Sequence, residues 1–311
     1  MTRSQAALAV AILLLAGMFA ALDPDFATLA NLSTLANQTT VLAVLAVGST
    51  FAIISRNIDI APASVMTLAA VVVAMLLHAT GSIAAALVAG AAVTLAIYLL
   101  HGLLIARLGL DPLIVTLAAW IWARGLAVSL TDATTLPIRS AFVQALDAPA
   151  VFGLTPAVGV VVAVYVAGWV VLNRTRLGIY TRALGEDERA LAARGLSPAA
   201  WKVAVFAAMG VTTSIAALLM IARLAAAAPT AGFGLELDAI VAVIIGGTSF
   251  KGGSGRLGNT VAGVVFIAVL DNGLSALQLG DAEFELLKGA GILAALLLDA
   301  ANRRRGQKSR V

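Results

Sequence analysis

Long, nearly uninterrupted apolar runs, parted by short clusters of charged and turn residues, organise this chain. Nine are clear, at residues 6–22, 38–55, 62–79, 82–106, 113–131, 155–172, 203–222, 258–279 and 284–301, and a tenth, 239–250, is short. A bilayer core needs roughly 20 apolar residues per helix. Runs of that length, apolar on every face, predict membrane-spanning helices and not the one-sided helices of a water-soluble core. The expected fold is all-α and polytopic, about ten spans in a single transmembrane domain over residues 1–311. Arg3 ahead of the first run suggests a signal peptide, but no small-residue cleavage site followed by a soluble domain comes after it, so it is expected to stay as a helix.

Composition supports this reading. Of 311 residues, 61% are hydrophobic and only 12% charged, with a mean hydropathy of +1.02, against roughly 25% charged residues in an average globular protein. So few charges cannot cover a water-facing surface, which excludes soluble enzymes, nucleic-acid binders and disordered regulators. The net charge of +4 reflects membrane insertion, because Lys and Arg collect on the cytoplasmic side. With no Cys and only His78 and His101, both inside apolar runs, thiolate metal sites and Cys nucleophiles are absent and His catalysis is poorly supplied.

Charge also orients the spans. Arg174, Arg176, Arg182, Arg189, Arg194 and Lys202 lie in the loop 173–202, and Arg303, Arg304, Arg305, Lys308 and Arg310 in the tail 302–311. Both segments are therefore expected in the cytoplasm. That demands an even number of crossings between them, so the short run 239–250 must cross as well, extended through Glu236 and Asp238 in a protein-lined cavity. Counting back places Arg107, Arg56 and Arg3 inside, leaving only Arg139, Arg223 and Lys288 outside and Arg124 within a span. Ten spans with both termini cytoplasmic is the economical solution. Spans two to five and seven to ten then form blocks of similar length and opposite orientation, each with an acid-bearing interruption: Asn57 and Asp59 before Pro62, and Glu236 and Asp238. Inverted repeats with broken helices are a transporter signature.

The inner loop is the most informative segment. Gly185, Glu186, Asp187 and Glu188 precede good helix formers including Ala190, and Arg194 and Gly195 follow. Acids at the start and a glycine at the end predict a short helix over 186–195. Too short to be stable alone in water, it is either a docking helix for a cytoplasmic motor or a connector whose arginines only set topology. Gly246, Gly247, Gly252 and Gly253 superficially suggest a phosphate loop, but Lys251 is followed by Gly252 where a phosphate loop has Ser or Thr. Close helix packing with a cytoplasmic turn is the better account. Asn57, Asp59, Arg124, Glu236, Asp238, Asp271 and Asn272 lie in or beside apolar runs, where an unpaired charge costs at least roughly 2.5 to 3.5 kcal/mol. They are expected to face a cavity or one another, with Arg56 and Arg124 as partners for the acids.

At these residues the chain resembles the permease subunits of bacterial ABC sugar importers of the ribose, xylose and galactofuranose type, over about residues 38–300. The resemblance rests on Ile58-Asp59-Ile60, Thr116-Leu117, Arg124-Gly125 and Arg174-Thr175-Arg176-Leu177-Gly178. Its most specific part is Gly234-Leu235-Glu236-Leu237-Asp238-Ala239-Ile240 followed by Gly246-Gly247-Thr248-Ser249, Gly252-Gly253, Gly258-Asn259-Thr260 and Asn272-Gly273. There are departures. Arg56-Asn57 stands where the family commonly has Gly-Gly, Ala61-Pro62-Ala63 where it has Ser-Val-Gly, and Glu186-Asp187 where it has Gly-Asn.

The resemblance implies a pair of permease chains in the bacterial inner membrane, cytoplasmic ATPase subunits docked on the inner loop, and a periplasmic sugar-binding protein. ATP and magnesium would sit on the ATPase, with no cofactor or metal in this chain. The resulting expectation is a pathway subunit that moves a monosaccharide or polyol by alternating access and does no covalent chemistry. The rivals are an ion-coupled secondary transporter, which also suits inverted repeats, and an intramembrane enzyme, for which the histidines and acids show no converging spacing.

Overall fold

The computed structural model describes residues 3–308. It is helical almost throughout. Helix α1 (Arg3–Leu22) is followed by α2 (Leu29–Gln38), whose start is capped by the Thr28 hydroxyl. At Thr39 the chain bends by 47° into α3 (Thr40–Ile54). Every residue of α3 is buried, because it lies at the centre of the bundle among the helices that follow. These are α4 (Pro62–Thr80), α5 (Ile83–Arg107) and α6 (Pro112–Thr131), then α7 (Ala141–Asp147) and α8 (Pro156–Arg174). The inner loop folds into α9 (Arg176–Glu186) and α10 (Glu188–Ala193), and α11 (Pro198–Leu224), α12 (Leu235–Ile245), α13 (Leu257–Ala276) and α14 (Asp281–Lys308) complete the chain.

Pro62, Pro112, Pro156 and Pro198 each open a helix, since the N–H that proline lacks would be unpaired there anyway. Among the described residues seven helices, α1, α4, α5, α6, α8, α11 and α13, are long and apolar enough to cross a membrane, and the bent pair α2–α3 makes an eighth. The chain is thus an integral, multi-pass helical membrane protein. The last expected run, 284–301, lies within α14. The basic tail expected inside begins within that helix and ends at residues 309–311, which lie outside the described residues.

Two expectations are corrected. The run 239–250 does extend back through Glu236 and Asp238, since α12 begins at Leu235, but the helix stops at Ile245 and not at 250, leaving 11 residues and about 16 Å, half a bilayer core. Yet the stretch 226–256 does return along the full length of α3. At one end Arg223 Nη1 donates to the Gln38 carbonyl at 2.8 Å. At the other the Gly253 N–H donates to the Ile54 carbonyl at 2.8 Å. The glycine-rich segment 246–256 makes up the length that α12 lacks. The second correction is in the inner loop, where the helix foreseen over 186–195 is two helices, with Glu186 closing α9 and Asp187 lying between them.

At the Arg223 end, Leu136–Pro137 pairs antiparallel with Ala226–Ala227. The His78 ring reaches the Pro137 carbonyl at 2.8 Å. His101 is buried against the edges of Tyr98 and Phe206. His101 therefore serves the packing of the bundle, while the exposed His78 ties α4 to the Leu136–Pro137 segment.

Candidate functional site

Two regions gather the residues singled out from the sequence. The first is built around Gly185. A Cβ at this position would lie 1.9 Å from the Ile54 carbonyl oxygen and 2.3 Å from the Gly253 nitrogen, so only glycine lets α9 approach the point where α3 ends and the 246–256 segment turns. Beyond it Asp187 leaves the helix. Its Oδ1 accepts the N–H groups of Arg189 at 2.9 Å and Ala190 at 3.2 Å, a cap worth about 1 kcal/mol, and so starts α10. Leu191 alone of α10 is buried. Gly195, at φ +76°, ends the turn in the left-handed region.

The platform is fixed while its top is open. Arg182 donates to the Leu172 carbonyl at 2.6 Å and to Asn173 Oδ1 at 3.0 Å, and Tyr180 stacks on Trp201 with ring centroids 4.2 Å apart. Glu188 pairs with Lys202 at 2.8 Å, tying α10 to α11. Between α10 and the α3 terminus lies a groove of about 580 Å³ bordered by Arg56, Glu186, Asp187, Glu188 and Arg189. Chemically this is an exposed, charged shelf whose base, Gly185, touches two backbone segments at once.

The second region holds the buried polar groups, and the structure distributes them. Asn57 stays local, its amide donating to Ser55 O at 3.0 Å and Ser55 Oγ at 2.8 Å. Asp59 is buried and accepts the Ala61 N–H at 2.8 Å through Oδ1, just ahead of Pro62. The carboxylate also lies beside the buried Tyr98 hydroxyl of α5. The break is fastened to α6 by Ile60, whose N–H points to Thr116 Oγ1 at 3.4 Å.

Glu236 is buried in the first turn of α12 and accepts the Trp120 indole N–H at 2.7 Å. Arg124, one turn further along α6, pairs with no acid among the described residues. Its guanidinium carbon sits 4.5 Å from the Phe233 ring centroid and 5.2 Å from that of Trp120.

Arg56 and Arg124 are therefore not the partners of the acids. Asp238 pairs with Lys288 of α14 at 2.8 Å, and Lys288 also reaches Asp271 at 3.2 Å. Asn272 exchanges amide hydrogen bonds with Asn31 of α2 at 2.8 and 3.1 Å. Gly246 ends α12 against the Asn259 carbonyl, and Gly247 turns the chain at φ +93°. The residues foreseen as one pathway thus fall into separate local arrangements, with only Arg124 and Glu236 brought together, through Trp120. Sequence reasoning missed Trp120, Phe233 and Lys288. Trp120 was within reach, since it stands four positions before Arg124 and so one helical turn away.

The chain belongs to the family described as "Branched-chain amino acid transport system / permease component", which matches residues 31–296. It is 35% identical over 300 residues to the Ribose import permease protein RbsC of Escherichia coli (strain K12), covering 93% of this chain and 92% of the relative. It is 32% identical over 288 residues to the D-allose transport system permease protein AlsC of the same strain, covering 92% and 88%. To the L-arabinose transport system permease protein AraH of that strain it is 30% identical over 276 residues, covering 89% and 84%. No solved structure matches.

Proposed function

We propose that this chain, as a member of that permease family, forms the membrane pathway of an ATP-driven importer for an aldose or related polyol. Two permease chains pair in the bacterial inner membrane, and a periplasmic binding protein delivers the sugar at the Arg223 end. A cytoplasmic ATPase, carrying ATP and magnesium, docks on α10. The chain performs no covalent chemistry and contacts no nucleic acid.

The observation that carries this reading is the contact of Gly185 with both Ile54 and Gly253. A displacement of the shelf by a motor subunit would reach the ends of α3 and of the α12 segment together, with no flexible element between. The helix breaks then rearrange, and the pathway opens to alternate sides. Ten crossings with both termini cytoplasmic agree with the return of 226–256 along α3. The names of the three sugar permeases support an aldose as cargo; the family description supports a branched-chain amino acid as the second reading.

The test is uptake by proteoliposomes holding the permease, its ATPase and its binding protein. Accumulation of labelled D-ribose, L-arabinose or D-allose that requires ATP and persists without ion gradients is expected. Uptake that survives ATP depletion and collapses with an ion gradient would mean an ion-coupled secondary transporter. Uptake of leucine in place of every aldose would mean the second cargo.

A further inference from the structure

We infer that Arg124, Trp120 and Phe233 form a station on the translocation path that holds the sugar ring, an assignment that rests on the sugar reading above. Arg124 is half-buried in an apolar span and makes no hydrogen bond or ion pair among the described residues. A charge at that depth is costly and marks a solute path or a wet cavity more often than a lipid-facing surface. Two aromatic rings hold it in place. A guanidinium on the face of a ring keeps its planar fork of five N–H donors directed outward.

The rings are themselves positioned. The indole N–H of Trp120 is fixed by the buried Glu236 carboxylate at 2.7 Å, and the other oxygen of that carboxylate, Oε2, has no partner. Phe233 is 69% exposed, on the loop that enters α12. That loop is tied to α4 by the Thr67 hydroxyl, which donates to the Ala231 carbonyl at 2.7 Å. Non-helical backbone at membrane depth is tolerated where it is covered by protein or lines a wet cavity. An exposed phenyl ring there has one face for Arg124 and its edge and other face open. The combination suits an aldose: its C–H face packs on an aromatic ring while vicinal hydroxyls accept from a guanidinium fork. A leucine side chain would use the ring and leave the fork unpaired.

The reconstituted complex of permease, ATPase and binding protein tests this, with labelled D-ribose, L-arabinose and D-allose as probes and uptake counted per inserted permease. Arg124→Ala should lower uptake of the accepted aldose at least tenfold, while ATP hydrolysis stimulated by the loaded binding protein stays within twofold of the parent. Arg124→Lys, which keeps the charge and loses the fork, should recover less than a fifth of the lost uptake. Phe233→Tyr should retain uptake where Phe233→Ala does not. Uptake within twofold of the parent for Arg124→Ala, or uptake and ATP hydrolysis falling together, would overturn the assignment. If the parent complex accumulates none of the three aldoses, the sugar reading itself falls and the assignment falls with it.

Discussion

The Ile54 carbonyl, at the last residue of α3, accepts the N–H of Gly253 at 2.8 Å, and this bond joins the end of α3 to the non-helical glycine-rich segment that follows α12. Gly185 is pressed against both atoms of it. Gly185→Ala is therefore expected to force the segments apart, at an overpacking cost of about 1 to 3 kcal/mol. Gly195→Ala meets nothing within 4 Å and bears only its positive φ, roughly 1 kcal/mol. Transport should be lost in the first variant and reduced mildly in the second, with the ATPase still copurifying in both. Equal behaviour of the two variants would show that the contact transmits nothing.

At the shelf, the cap separates a structural from an electrostatic role for Asp187. Asp187→Asn keeps an oxygen that can accept from Arg189 and Ala190, whereas Asp187→Ala leaves a six-residue helix uncapped, at about 1 kcal/mol. Pull-down of the ATPase should be near normal for the Asn variant and weakened for the Ala variant. Changing Glu186, Asp187 and Glu188 together to Lys should abolish it while the protein still inserts. Normal copurification and transport in that triple variant would reduce the loop to a connector.

How legible these arrangements are from the sequence depends on what lipid demands. A span must be apolar on all faces, so the run 62–79 reappears as Pro62–Thr80 and 82–106 as Ile83–Arg107. Hydropathy does not register where a backbone stops being helical among residues that are still apolar or glycine. The bend at Thr39 and the end of α12 at Ile245 were for that reason unreadable. The shelf was readable in position, because acids, helix formers and a glycine stop fall in order. Its division at Asp187 was not, because it depends on Gly185 docking against Ile54. Pairing across elements is the hardest to read: Lys288 finds Asp238 and Asp271 at separations of 50 and 17 positions, with no local signal to choose it over Arg56 or Arg124.

That pairing carries its own expectation. Lys288 is the common partner of two acids on α12 and α13, with Lys288 and Asp238 largely buried and Asp271 a third exposed. Lys288→Met strands both carboxylates. Breaking a fully buried pair costs roughly 3 to 5 kcal/mol, and the exposure of Asp271 reduces that to about 2 to 3 kcal/mol here. Inserted protein and thermal stability in detergent should fall, and adding Asp238→Asn with Asp271→Asn should restore much of both. Failure of the triple variant to recover would mean that Lys288 does more than neutralise the two acids.

Sidedness can be read on this Cys-free chain with single cysteines at positions 139, 251 and 308. Ten crossings with both termini inside predict labelling by an impermeant maleimide from outside, inside and inside, respectively. The return of 226–256 along α3 requires residues 139 and 251 to differ. Labelling of 251 and 139 from the same side would contradict the path of the chain itself, independently of any count of spans.

Asp59 and Asp238 occupy matching interruptions in the two halves of the sequence, yet the structure gives them different work, and their variants should separate accordingly. Asp238 is held by a lysine from another helix, so its removal unpairs Lys288 and should appear as less inserted protein. Asp59 is buried with no cation, and through Oδ1 it bonds the Ala61 N–H that the break leaves without a helical acceptor. Its cap lies where α3 ends, beside α6, in the segment that must move if the helix breaks rearrange. Asp59→Asn preserves an acceptor for Ala61 and should insert normally and transport at close to the parent rate. Asp59→Ala leaves a buried N–H unpaired, about 1 to 3 kcal/mol, and should lower transport per inserted molecule several-fold with binding-protein docking intact. Uptake normalised to inserted permease, measured beside docking for all three variants, decides the matter. Normal specific transport in Asp59→Ala would remove Asp59 from the moving break and leave it a cap like any other.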